Sequence, residues 1–175
     1  MSRFALLLAL LACVGMLSPA RAELPEFRLG RDAALWQARS CVGEVGWTDF
    51  DACTAMIFVH AKRASDSGVT LVTMVRAYSA AVKPHPRHRP WVLELEPTGP
   101  APRSWRRASW PRARAAFGRM LEHVERVLRG EVPDPCPHSR HYGGPMDGVP
   151  RGHVRSSCLP ESRQRFYRPD IADAT

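Results

Sequence analysis

The sequence predicts a mainly α domain with long irregular loops and a small β-hairpin. Three observations carry this: four segments repeat apolar residues at three- and four-residue steps, prolines gather between and after them, and the last third is loop-like. The first helix is expected over Arg31–Val45, where Ala34, Leu35, Ala38, Cys41, Val42 and Val45 share helical spacing and Asp32 suits the first turn. Gly46 to Asp49 breaks it. A second helix follows from Asp49 to Ala64, with Cys53, Met56, Ile57, His60 and Ala61 inward and Asp49 and Asp51 at its start. On that face His60 reads as a hydrogen-bonded core histidine rather than a ligand. A third helix runs from Thr70 to Val82, with Leu71, Met74, Val75 and Tyr78 on one side, until Pro84, Pro86 and Pro90 end regular structure. Residues 83–109 form an irregular crossing with a short helix near Val92–Glu94. A loop of that length in a compact domain is usually functional or disordered. The fourth helix starts at Pro111, capped by Ser109, and reaches Arg129 with Gly130 as its stop. Its stripe is Ala113, Ala116, Phe117, Met120, Leu121, Val124, Val127 and Leu128. Beyond it, a short strand pair is expected around His141 and Phe166, and residues 171–175 read as a frayed tail.

The N-terminus reads as an export signal. A short basic start, Met1-Ser2-Arg3, precedes an apolar run from Phe4 to Leu17 and an A-x-A site at Ala20-Arg21-Ala22. Cleavage after Ala22 leaves residues 23–170 as one domain with a real core. The alternative is a lipoprotein site at Leu10-Leu11-Ala12-Cys13, which would anchor the chain in a membrane through Cys13. The expected location is therefore secreted or periplasmic. The formal charge is +8, of which Arg3 and Arg21 leave with the signal. An exported basic chain points away from nucleic acid and toward anionic envelope polymers, or toward a surface that only maintains solubility.

Of five cysteines, Cys41, Cys53, Cys136 and Cys158 remain after processing. An even number in an exported chain implies two disulfides, and three pairings are open. Proximity in sequence favours Cys41–Cys53 with Cys136–Cys158. Cys136, His138, His141, His153 and Cys158 can also be read as a zinc set, but the spacing is not a standard one and an oxidising compartment favours disulfides. No metal and no cofactor are expected.

The stretch Ala38-Arg39-Ser40-Cys41-Val42-Gly43-Glu44-Val45-Gly46 puts one carboxylate at the end of an apolar helix beside two glycines. A buried acid is costly unless it is satisfied or used. The stretch resembles the segment around the catalytic glutamate of bacterial cell-wall hydrolases of the spore-cortex-lytic type. Ala52 to Arg63 falls where that family has its apolar helix, and Ala77-Tyr78-Ser79 resembles its aromatic-serine element. Val127-Leu128-Arg129-Gly130-Glu131-Val132-Pro133-Asp134-Pro135 resembles its Leu-x-Gly-x-x-x-Asp-Pro segment, which leads to an aromatic and histidine element, here His141-Tyr142. The resemblance spans Leu35 to Tyr142. It implies a lysozyme-like helical domain related to lytic transglycosylases, with peptidoglycan glycan strands as substrate. It also implies Glu44 as general acid/base, and His141, Tyr142, Tyr78 and Ser79 as substrate-binding residues. The flanking cysteines and the continuation Gly143-Gly144-Pro145-Met146-Asp147 depart from the family pattern.

Glycosidic cleavage needs an acid to protonate the leaving oxygen, and most hydrolases add a second carboxylate. Asp49, Asp51 and Asp147 are the candidates, the first two also reading as helix-start residues. With none of them facing Glu44, the transglycosylase route is favoured: one glutamate acts as acid and then base while the sugar's own C6 hydroxyl closes an anhydro ring. Tyr78, Tyr142 and Tyr167 can line a cleft or fill the core. Trp91, Trp105 and Trp110 can bind glycan or cover the core. Arg103, Arg106, Arg107, Arg112 and Arg114 can attract envelope anions or form a solvated helix start. The competing function is a non-catalytic, disulfide-stabilised envelope-binding domain.

Overall fold

A computed structural model describes residues 31–83, 90–102, 105–106 and 108–170. The export signal, Cys13, Pro84, Pro86, Arg103, Arg107 and residues 171–175 lie outside the described residues.

The fold is mainly helical with a small antiparallel sheet. Its elements are α1 (Arg31–Val45), α2 (Phe50–Ser67), α3 (Leu71–Tyr78), single 3-10 turns at Ala80–Val82 and Trp91–Glu94, α4 (Trp110–Leu128), β1 (His141–Gly143), β2 (His153–Arg155) and β3 (Arg165–Pro169). Helix α1 is the hub: it packs against α2, α3, α4 and both 3-10 turns. That position explains its composition. Gln37, Ala38, Arg39, Ser40, Cys41 and Val42 are consecutive and all buried, so α1 shows no solvent face over this stretch, as a helix surrounded by others must. Small residues at 38, 40 and 41 let the neighbours approach closely. Helix α4 is the opposite case, burying one stripe from Trp110 and Ala113 through Phe117, Met120, Leu121 and Val124 to Leu128 while its other side stays wet.

Polar side chains set the helix ends. Asp49 caps α2 by accepting from the Ala52 amide at 3.1 Å, and it also accepts from Ser162 Oγ at 3.0 Å, which ties the late loop to the helix start. Thr70 caps α3 through the Thr73 amide at 3.2 Å. At the end of α2, Gly68 takes a left-handed conformation (φ 63°), from which the Gly68 and Val69 amides reach the last carbonyls. The helix therefore runs to Ser67, past the expected Ala64. Ser109 stands at the α4 cap position, but its hydroxyl donates to the Arg106 carbonyl at 3.0 Å instead of capping.

Two differences from the expected elements have local causes. The third helix stops at Tyr78 rather than Val82, because Ser79 turns to extended backbone (φ −76°, ψ 121°) before the 3-10 turn begins. The expected strand pair is a three-stranded sheet in the order β1-β3-β2, with Tyr142 opposite Phe166 and Arg155 opposite Tyr167. The extra strand, His153–Arg155, has three residues, too few to show an alternating pattern.

The disulfides pair Cys41 with Cys53 and Cys136 with Cys158. The first links α1 to α2 across a Cα–Cα distance of 5.1 Å. The second fastens the segment after α4 to the loop before β3. No helix among the described residues is long and apolar enough to cross a membrane.

Both Cys41 and Cys53 are fully buried, so opening their link leaves two thiols without a route to water. Replacing the pair by alanine should lower the unfolding free energy by about 2–4 kcal/mol, measured by urea denaturation, with the far-ultraviolet helical signal retained below the transition.

Candidate functional site

Glu44 occupies the last turn of α1 and is half-buried. Its Oε1 accepts two hydrogen bonds, from Ser79 Oγ at 2.8 Å and from the Ala81 amide at 3.0 Å. Gln164 Nε2 donates to the Glu44 backbone carbonyl at 3.1 Å and approaches Oε2 at 3.4 Å. The early end of α3 supplies this arrangement. In a continuous helix the Ala81 amide would bond back to the carbonyl of Ala77. The break at Ser79 releases it toward Glu44. Gly43 is the second requirement: a Cβ there would collide with Cβ of Ala81 and crowd Val92 Cγ1 at 3.2 Å.

A chain of buried polar groups lies behind the glutamate. Gln37 Oε1 is 3.0 Å from His60 Nδ1, and His60 Nε2 is 2.9 Å from the Tyr142 hydroxyl. With Nδ1–H donating to the Gln37 carbonyl oxygen, Nε2 is left to accept the Tyr142 O–H. Burial, reinforced by the Arg63 charge, pushes the His60 pKa down to about 3, so the ring is neutral and this tautomer can persist. Tyr142 also stays protonated: burial first, then the Glu44 charge and Tyr78, hold its hydroxyl well above the ordinary phenol range, against the opposing influence of the Ser79 and Ser40 hydroxyls. The rings of His60, Tyr78 and Tyr142 meet edge to face, with centroids 5.2–5.8 Å apart.

His141 extends this wall. Its Nδ1 is 3.0 Å from the Tyr78 hydroxyl, and its ring meets His153 edge-on at 4.4 Å. Arg63 stacks its guanidinium 4.2 Å over the Tyr78 ring and sets Nη1 beside the His141 ring nitrogens. Burial, then the charge of Arg63 and then His153, lowers the His141 pKa to about 4. Burial likewise raises that of Tyr78.

The sequence-predicted residues Glu44, Ser79, Tyr78, Tyr142 and His141 thus form one connected group. Ser79 bonds Glu44 directly, whereas Tyr142 and His141 are held by His60 and Tyr78. Gln164 and the Ala81 amide were not legible: the first sits in an irregular loop 120 residues from its partner, and the second is a backbone group. His60 is the buried, satisfied histidine that its helical face indicates, yet it also orients Tyr142. The candidate second carboxylates are occupied elsewhere or stand in solvent. Asp49 caps α2, Asp51 is exposed on its first turn, and Asp147 Oδ2 accepts from the Gly144 amide at 2.6 Å. Among the hydrogen bonds at Glu44, every donor is an amide or a hydroxyl. Cys136 and Cys158 are joined to each other, which removes them from the zinc set, and among the described residues no group of three or more His, Cys, Asp or Glu is placed to hold a metal ion. Tyr167 is a core residue, fully buried in β3.

No protein-family model, curated protein or solved structure matches the chain.

Two outcomes follow from this geometry. His60 takes up a proton in the unfolded chain near pH 6.5 but in the fold only near pH 3. Between those values the unfolded state binds more protons, so stability rises with pH. Urea titrations from pH 3.5 to 6 should show this as a slope of up to about 1.4 kcal/mol per pH unit from His60, to which His141, lowered to about 4, adds in the same sense. His60→Gln should remove the His60 share and leave that of His141. Gly43→Ala should push the Ala80–Val82 turn away from α1 and cost about 1–3 kcal/mol in stability, visible as a lowered melting temperature, whereas Gly148→Ala, where a Cβ meets nothing, should not.

Proposed function

We propose that the chain is an exported enzyme that cleaves the glycan strands of peptidoglycan, with Glu44 as its single general acid/base. One observation carries this reading. Glu44 Oε1 is held by two donors, Ser79 and the Ala81 amide, while Oε2 has only a long contact to Gln164. A proton on Oε2 leaves both Oε1 bonds intact, so the acid can give up and regain that proton without moving. Holding a catalytic group this way removes much of the orientational cost of proton transfer.

The reaction then needs few parts. Oε2–H protonates the glycosidic oxygen as the bond breaks and positive charge develops on the sugar. The resulting carboxylate takes a proton from the nucleophile that completes the reaction. The candidate second carboxylates are held at a helix cap and a turn, Asp49 and Asp147, or exposed, Asp51, which supports an internal nucleophile: the C6 hydroxyl of the sugar attacks its own anomeric carbon and closes an anhydro ring. Tyr142, neutral and held by His60, and the Tyr78–His141 pair line the wall beside the reacting bond. The resemblance of the segments from Leu35 to Tyr142 to spore-cortex-lytic hydrolases points to the same chemistry, and the disulfides suit an oxidising compartment outside the cytosol.

The test is clearing of a peptidoglycan suspension. Wild-type protein should clear it, and Glu44→Gln should slow clearing by about 100-fold or more with an unchanged melting temperature. Mass spectrometry should find anhydro-sugar ends; reducing ends alone would replace the transglycosylase route by hydrolysis. No clearing by wild type, or undiminished clearing by the variant, rejects the catalytic reading in favour of an envelope-binding domain.

A further inference from the structure

Four tryptophans that are scattered in the sequence meet in one cluster. Trp47 follows α1, Trp91 opens the second 3-10 turn, Trp105 lies in the irregular crossing and Trp110 starts α4. The rings of Trp47, Trp91 and Trp105 form a triangle with centroid separations of 5.8, 6.2 and 5.6 Å, and Trp110 backs Trp105 at 5.7 Å. Burial falls outward through this stack. Trp110 is 6% exposed, Trp47 and Trp105 are half-buried, and Trp91 is 43% exposed. Core cover therefore accounts for Trp110 and not for Trp91.

The position of Trp91 is fixed rather than incidental. Its neighbour Val92 is buried and packs at Gly43, the residue before Glu44. The 3-10 turn of Trp91 also touches the turn that gives Glu44 its Ala81 amide. The exposed indole is thus attached to the same backbone that positions the carboxylate, and Trp47 is only three residues beyond Glu44. An indole braced by two others has little rotameric freedom left, so a ligand that covers it has little side-chain entropy to remove. Thr48 and Arg106, next in the chain to Trp47 and Trp105, are exposed and polar. One exposed indole, with the rings of Trp47 and Trp105 tilted 40° and 62° to it, does not suit a protein interface, which needs a broader apolar centre. It suits a pyranose ring, whose C–H face is apolar and whose edge is lined with hydroxyls.

We infer that the exposed indole of Trp91, braced by the tilted rings of Trp47 and Trp105, is a saccharide-stacking platform that seats a sugar ring of the glycan strand close to the bond cleaved at Glu44. The inference rests on the reading of Glu44 as acting on a glycan, but binding can be measured apart from cleavage. The probe is a set of soluble, peptide-free oligomers of alternating N-acetylglucosamine and N-acetylmuramic acid, titrated by calorimetry and by tryptophan emission into the chain carrying Glu44→Gln, which cannot consume them. Saturable binding with a change in emission is expected. Adding Trp91→Ala should weaken it about tenfold while the melting temperature stays constant, and Trp91→Tyr should restore most of the affinity. Oligomer affinity that is the same with and without Trp91→Ala overturns the platform, as does an absence of binding by Glu44→Gln protein, even if wild type clears peptidoglycan. Binding that depends on Trp91 in a protein whose wild type clears nothing upholds the platform and rejects the catalytic reading alone.

Discussion

The end of α1 lies against the Ala80–Val82 turn because residue 43 has no side chain, and the geometry around Glu44 depends on that approach. It brings the Ala81 amide and the Ser79 hydroxyl onto one carboxylate oxygen. It also seats Val92 and so places Trp91. The contact is short and runs from the helix backbone to Cβ of Ala81, which has no rotamer to change: a core contact between flexible side chains can relax when one atom is added, but a turn pressed on a helix has to move as a unit. The Cys41–Cys53 link one half-turn earlier keeps α1 from sliding to relieve such pressure.

The buried polar groups behind the site are a second constraint. Gln37 Oε1, His60 and the Tyr142 hydroxyl are joined in series, while Gln37 Nε2 at the same depth has no hydrogen-bond partner among the described residues. With the amide oxygen of Gln37 accepting from Nδ1, the neutral His60 ring accepts the Tyr142 O–H at Nε2. Tyr142 is consequently a phenol with a fixed orientation, although it stands on a strand of only three residues that has little rigidity of its own. The three edge-to-face rings add to that orientation without asking the sheet to provide it.

Helices were legible where one face alone is buried, as in α4, whose apolar stripe from Ala113 to Leu128 gives both its extent and its inward side. α1 and α2 were legible for a weaker reason: they are apolar over helical lengths, and Asp49 and Gly46 interrupt them. The end of α3 was not, because Ala77 to Val82 continues an apolar pattern and nothing local opposes a helix; its break is repaid by the carboxylate of Glu44, 35 residues away. Gln164 escaped for the same reason of distance. His60 was read correctly as a satisfied core residue, but periodicity does not reveal which partner satisfies it. The tryptophans could not be divided from sequence, since burial of Trp110 and exposure of Trp91 are decided by the crossing of 83–109, which has no period. The disulfide pairing was legible only because nearby cysteines happened to be the partners.

The strand order also has a meaning for how the molecule is made. β3 lies between β1 and β2 although it is the last strand in the chain. Neither earlier strand has a partner before it arrives, and Gln164, which reaches back to Glu44, immediately precedes it. A chain emerging from its N-terminal end can pair α1 with α2, α3 and α4 early, while Tyr142 and His141 wait on residues still unmade. The helical body is therefore complete in sequence by Leu128, whereas the strand that carries His141 and Tyr142 gains its partner only with residues 165–169.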